Sequence, residues 1–192
     1  ENIEELAKLP KLTHLTIFKA GISAINFHLP QLEYLYLDSQ CIFQDFAFLK
    51  GSPKLETLVV GGDCLDADQL DQVKSIPTLK LIDFSASIIP GIYKCTSLKT
   101  LVLDTNLKAP LDLNGLNQCV SLETLGLENC IGADISVLST HPSLKCLYIK
   151  NCDDIPKETM DSFQIKGIEV FFEETVKLPS SGIQLQKSTE RT

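Results

Sequence analysis

The sequence lacks any apolar run long enough to cross a bilayer, so no helical membrane span and no membrane partner are expected. It is also short of basic residues: 17 Lys and Arg stand against 25 Asp and Glu, for a formal charge of −8. Phosphate recognition needs clustered cations, which excludes nucleic acid as a main partner. There is no Cys-x-x-Cys pair, and His14, His28 and His141 lie far apart, so neither a zinc site nor another cofactor is expected. The seven cysteines are odd in number and lack the compact spacing of a disulfide framework. They predict reduced thiols and a cytoplasmic setting. A basic, apolar leader is missing, and so is an initiator Met, which predicts a fragment or a processed form. What remains is a chain of 192 residues with 44% apolar content, enough to bury a continuous core, and its length suits one elongated domain or two small globules.

What is present is self-similarity. A leucine-x-x-leucine-x-leucine pattern recurs at Leu12-Leu15-Ile17, Leu32-Leu35-Leu37, Leu55-Leu58-Val60 and Leu79-Ile82-Phe84. It continues at Leu98-Leu101-Leu103, Leu122-Leu125-Leu127 and Leu144-Leu147-Ile149, and a degraded copy opens at Ile168. Between copies, apolar residues stand three apart and a proline often follows: Ile3, Leu6 and Pro10; Phe46, Leu49 and Pro53; Leu70, Val73 and Pro77; Ile135, Leu138 and Pro142. That spacing suits a turn or two of helix, which the proline ends before the next strand. Residues 66–75 are long enough for an α-helix with Asp66 or Asp68 as cap, whereas 87–95 predicts irregular or 3₁₀ structure.

Each copy therefore supplies a short strand and a return, and neither buries its apolar side alone. This repeat resembles the leucine-rich-repeat family over about residues 3–175. The resemblance implies an α/β solenoid, a curved horseshoe with a parallel sheet of about eight short strands on its concave face. Short helices or 3₁₀ turns would line the convex face. The solenoid is expected over 1–175, starting inside a repeat or an N-terminal cap, with a polar tail over 176–192. The family's turn position, usually asparagine or cysteine, here holds Ala20, Gln40, Asp63, Ser87, Asn106, Cys130 and Cys152. One stretch, from Cys119 through Leu122, Leu125, Leu127 and Cys130 to Leu138, is similar to the cysteine-containing subclass. That subclass is common in substrate-recognition subunits of ubiquitin ligases. The irregular copy lengths also look similar to bacterial intracellular and effector repeat proteins, whose setting would be the host cytosol.

Alternating strand side chains place the third, fifth and seventh positions of each copy on the concave face. Phe18, Tyr34 and Tyr36 then form an aromatic cluster, which serves either as interface anchors or as filler between strands. Asp83, Asp104 and Glu128 fall on consecutive strands and either attract a basic partner or keep the sheet soluble. Leu81, Ser85 and Tyr148 are expected on the same face, and so are Val170, Phe172 and Glu174 in the last copy. An open sheet gives carboxylates little desolvation, and no nucleophile accompanies them, so no catalysis is expected. The expected function is a non-enzymatic, monomeric module that binds a protein partner through Phe18, Tyr34, Tyr36, Asp83, Asp104, Glu128 and Tyr148. The alternative is the targeting or substrate-recognition part of a larger protein, such as a ubiquitin-ligase subunit or a delivered effector.

Overall fold

A computed structural model describes residues 3–18, 22, 24–41, 43, 45–61, 65, 67–87, 89, 91–105, 110–152 and 155–172. The expected tail, 176–192, lies outside the described residues, as do Ala20, Asp63, Asp66, Asn106 and Glu174.

Eight strands follow one another along the chain: β1 (His14–Ile17), β2 (Tyr34–Leu37), β3 (Thr57–Gly61), β4 (Thr78–Phe84), β5 (Thr100–Thr105), β6 (Thr124–Glu128), β7 (Cys146–Lys150) and β8 (Glu169–Phe172). They form one open parallel sheet in the same order as the sequence, with β1 and β8 at its edges. A strand four to seven residues long has no partner within its own coil, so its backbone groups pair with the coils on either side. Register is then set by the apolar rows. Leu35, Leu58, Leu79, Leu101, Leu125 and Leu147 align from β2 to β7, each almost wholly buried. Each such leucine contributes about 1.5–3 kcal/mol of burial, so a slip by one residue would forfeit a whole row.

The returns are short because the apolar residues three apart need only one eclipsed face. Ile3–Lys8, Ala47–Gly51, Ile92–Lys94, Asn114–Gln118 and Ile135–Thr140 are 3₁₀ segments, while Ala67–Val73 forms α1. Aspartates start three of them: Asp45, Asp112 and Asp134 accept the N–H of Ala47, Asn114 and Ser136 at 2.9, 2.9 and 3.0 Å. The expected helix near 66–75 is α1, and 87–95 holds a 3₁₀ turn as expected. A second helix, α2 (Lys157–Ile165), was not expected; it starts after Pro156 and buries Phe163 fully.

Two registers differ from the sequence reading. In β4 the row of central leucines passes through Leu79, which pairs with Leu58 and Leu101, so the copy begins at Ile76 and not at Leu79. Both triplets fit the repeat's letters, and Pro77 favoured the wrong one. Leu81 is consequently buried in the core. The pairing shifts between Leu81 and Phe84, where Asp83 takes a left-handed φ of 50°, and Phe84 turns inward in the place expected for Ser87. In β8, Leu147 pairs with Val170 and Tyr148 with Phe171. Val170 therefore packs on the core, and Glu169 and Phe171 take the outer positions given to Val170 and Phe172.

Candidate functional site

The outer face of the sheet carries three rows. The row at the strand starts runs His14, Tyr34, Thr57, Thr78, Thr100, Thr124 and Cys146. The middle row runs Thr16, Tyr36, Val59, Lys80, Val102, Gly126, Tyr148 and Phe171. At the strand ends, Asp104, Glu128 and Lys150 stand side by side.

The aromatic cluster is real but pairs across strands in two separate contacts. Phe18 meets Tyr36 with ring centroids 5.0 Å apart, and His14 stacks on Tyr34 at 5.7 Å. Phe18 keeps 64% of its surface exposed, and both tyrosines are half-buried. Burial pushes both phenols up; for Tyr36 the neighbouring carboxylates of Asp38 and Asp83 add to the effect.

The acidic row is broken. Asp83 sits one position beyond the equivalent of Asp104, at the bulge within β4, because Ile82 occupies the strand place; its side chain is exposed. Asp104 is half-buried and accepts the side-chain amide of Asn129 at 2.8 Å. Glu128 is only 5% exposed and is held by Lys80 at 3.1 Å, although Lys80 lies two strands away. Tyr148, expected to project, is 2% exposed: its ring stacks on Phe171 at 4.8 Å and packs with the fully buried Val102. Gly126, standing between Tyr148 and Val102, leaves the room for that contact.

Sequence reasoning missed Lys80, because the displaced register put Leu81 on the outer face. It singled out Cys119 as a subclass likeness but missed His141 and the bonds made by a line of polar side chains three residues before the first leucine of successive copies. Cys95 donates to the carbonyl of Leu70 at 3.8 Å, and Cys119 to that of Ile92 at 3.3 Å. The next copy holds His141, whose Nδ1 accepts the N–H of Leu144 at 3.1 Å and of Ser143 at 3.3 Å. Its Nε2 therefore carries the proton and donates to the Leu116 carbonyl at 3.2 Å. Burial pushes the Cys95 thiol up to about 11 and Cys119 to about 12, and it lowers the imidazole of His141.

A second line runs through the turns. Cys41, not Gln40, points inward toward the carbonyl of Ile17, Cys130 toward Leu103 and Cys152 toward Leu127, at 3.9, 3.9 and 3.4 Å. The Cys130 thiol is raised by its contact with Cys152 and then by burial, so Cys130, like Cys95 and Cys119, is disfavoured as a thiolate. The six described cysteines are free thiols. Asn129 and Asn151 hold left-handed turns (φ 57° and 49°), with Asn151 donating to Asn129 at 3.2 Å. Among the described residues no group of three or more His, Cys, Asp or Glu is placed to hold a metal ion. No helix among them is long and apolar enough to cross a membrane.

No protein-family model matches the chain. It is 34% identical over 101 residues to leucine-rich repeat-containing G-protein coupled receptor 6 of Danio rerio, covering 51% of this chain and 10% of the receptor. It is 28% identical over 153 residues to leucine-rich repeat-containing G-protein coupled receptor 5 of Rattus norvegicus, covering 77% of this chain and 16% of that receptor. An internalin of Listeria monocytogenes matches in structure with a TM-score of 0.50 at 18% identity, covering 90% of this chain and 58% of that one. The chain thus spans a small part of the length of the curated relatives it matches. With eight strands stacked in register by inward leucines, the chain is built as a leucine-rich-repeat solenoid and is similar in sequence to leucine-rich-repeat-containing receptors.

Proposed function

We propose that this chain is a non-enzymatic protein-interaction module whose partner lies across the outer face of the sheet. The observation that carries the reading is the Phe18–Tyr36 contact: large aromatic side chains stand half or wholly exposed where stacking of the repeats needs none. Such residues are frequent anchors at interfaces. In this reading Phe18, Tyr34 and Tyr36 are the anchors, and Asp83 and Asp104 steer the approach of the partner. Glu128 and Tyr148 contribute from beneath, by holding the far half of the face in shape. The buried thiols, engaged with backbone carbonyls, suit a reducing, cytoplasmic setting.

A second reading makes the chain the recognition segment of a larger protein, as in a ubiquitin-ligase subunit or a delivered effector. It is supported by how small a part of the matched receptors this repeat region is, 10% and 16% of their length.

Affinity capture, followed by binding measurements on purified partner, tests the main reading. Tyr36→Ala should weaken binding by about 2 kcal/mol, and Asp104→Lys should slow association most at low salt. Unchanged affinity in Tyr36→Ala and Phe18→Ala would move the search to the return side.

A further inference from the structure

Among the described residues, ion pairs along the sheet gather toward one end, and several carboxylates at the other have none. Toward β6 and β7, Lys80 holds Glu128 at 3.1 Å, Lys145 holds Glu123 at 2.9 Å, and Asn129 caps Asp104. Toward β1–β3, Glu33 and Glu56 stand on adjacent strand starts, tied by a backbone hydrogen bond of 2.9 Å, and both are exposed. Neither of them, nor Asp83, has an ion-pair partner among the described residues. Lys80, the cation on the adjoining strand β4, is drawn away to β6. Like charges on neighbouring strands repel, and a cation brought from outside offsets that cost. The half-buried Tyr36 lies between the two acidic margins with the exposed Phe18 against its ring, and Asp38, level with Phe18, follows Tyr36 on the same side of β2. Ring faces bordered by carboxylates match the chemistry of a guanidinium or an ammonium group.

We propose that the β1–β3 end of the sheet receives a basic segment of the partner protein, an arginine or lysine side chain lying on the Phe18–Tyr36 rings between the carboxylates of Glu33 and Glu56 and those of Asp38 and Asp83. This rests on the reading that the outer face binds protein, and it names the kind of segment that binds there. The rise in the Tyr36 phenol caused by Asp38 and Asp83 fits the same placement, since both carboxylates are near enough to act on the ring.

The test is an amide-resolved NMR titration of the full chain with a blocked peptide of alternating glycine and arginine, beside its glutamate counterpart. The arginine peptide should shift the amides of Phe18, Tyr36, Asp38 and Glu56 saturably, spare Leu147–Ile149, and bind more weakly as salt rises. Tyr36→Ala should lower its affinity about tenfold, and Tyr36→Phe, which keeps the ring, should bind as the parent does. The proposal is overturned if the arginine peptide gives no saturable shifts, if the glutamate peptide does as well, if Tyr36→Ala binds like the parent, or if the shifts centre on Tyr148. Hydrogen exchange on the complex with a captured protein partner separates the two readings. Protection across the outer face without a response to the arginine peptide sinks the cation inference alone, whereas protection confined to the returns sinks both.

Discussion

The two ends of the sheet share a backbone and a register but use their outer faces differently. At β4–β8 the middle row closes on itself: Tyr148 lies between Phe171 and Val102, and Lys80 reaches over to Glu128. At β1–β2 the equivalent positions are Thr16 and Tyr36, with Phe18 at the end of β1, and the rings stay open to solvent. The returns show the same division. Three residues before the first leucine, the early copies carry Leu9, Leu29, Ser52 and Val73, whereas the later ones carry Cys95, Cys119 and His141, which bond back to the preceding coil. A repeat thus leaves some positions free, and the side chains placed there decide whether a region consolidates the stack or stays available to a partner.

The sharpest way to break this comparison is to remove the ring that closes the later half. Tyr148→Ala should cost about 3–5 kcal/mol, since it leaves a cavity beside Val102 and unstacks Phe171. Denaturant unfolding measures this, and a loss below about 1 kcal/mol would mean that the cluster contributes no more than an exposed contact would.

Next comes the ion pair. Its side chains are 13% and 6% exposed, so Glu128→Gln leaves Lys80 largely desolvated without a counter-charge. The expected loss is about 2–4 kcal/mol, less than for a fully buried pair because Lys80 retains some contact with water. Adding Lys80→Met to the Glu128→Gln variant should recover most of that loss, and a double-mutant cycle without coupling would show that the two charges do not depend on each other.

These two effects also mark the limits of legibility. The inward leucines at β2, β5, β6 and β7 could be read directly because every third and fifth letter agreed. At β4 two overlapping triplets fit, and the choice turned on a bulge at Asp83, which no letter pattern encodes. The last copy failed for a related reason: α2 replaces the usual return and moves the strand by one residue. The signal for α2 was present in Pro156 followed by Glu158, a helix start, with Phe163 as the residue to bury. Among the candidate residues, the outward placement of Phe18, Tyr34 and Tyr36 was legible because strand alternation alone exposes them. Burial of Glu128 and Tyr148 was not, since it depends on Lys80 and on the space over Gly126, both long-range facts of the fold.

A smaller effect separates the two ends by pH. His141 must be neutral to accept two backbone N–H groups at Nδ1, and burial lowers its pKa below the usual imidazole value. The unfolded chain therefore takes up this proton first as pH falls. Stability from this group is fully present above the ordinary value of about 6.5 and is lost as pH drops from there toward the folded value. Melting measured between neutral and mildly acidic pH should show that decline, and His141→Asn should flatten it while lowering stability at neutral pH. A parent profile that is flat, or that rises toward acid, would contradict the assigned tautomer.

The smallest effect is expected where binding is proposed to matter most. Phe18 is 64% exposed and touches mainly Tyr36, so Phe18→Ala removes one ring contact and little burial. Its cost to the fold should be about 0.5–1 kcal/mol, the worth of a tilted aromatic pair at a surface. Set beside Tyr148→Ala in the same unfolding series, that value is the direct measure of the division between the ends. If Phe18→Ala destabilised the chain as much as Tyr148→Ala, the early rings would be structural filler, and their exposure would no longer argue for a partner. If it leaves the melting temperature nearly unchanged while weakening a purified partner, the open half of the sheet is kept open for binding.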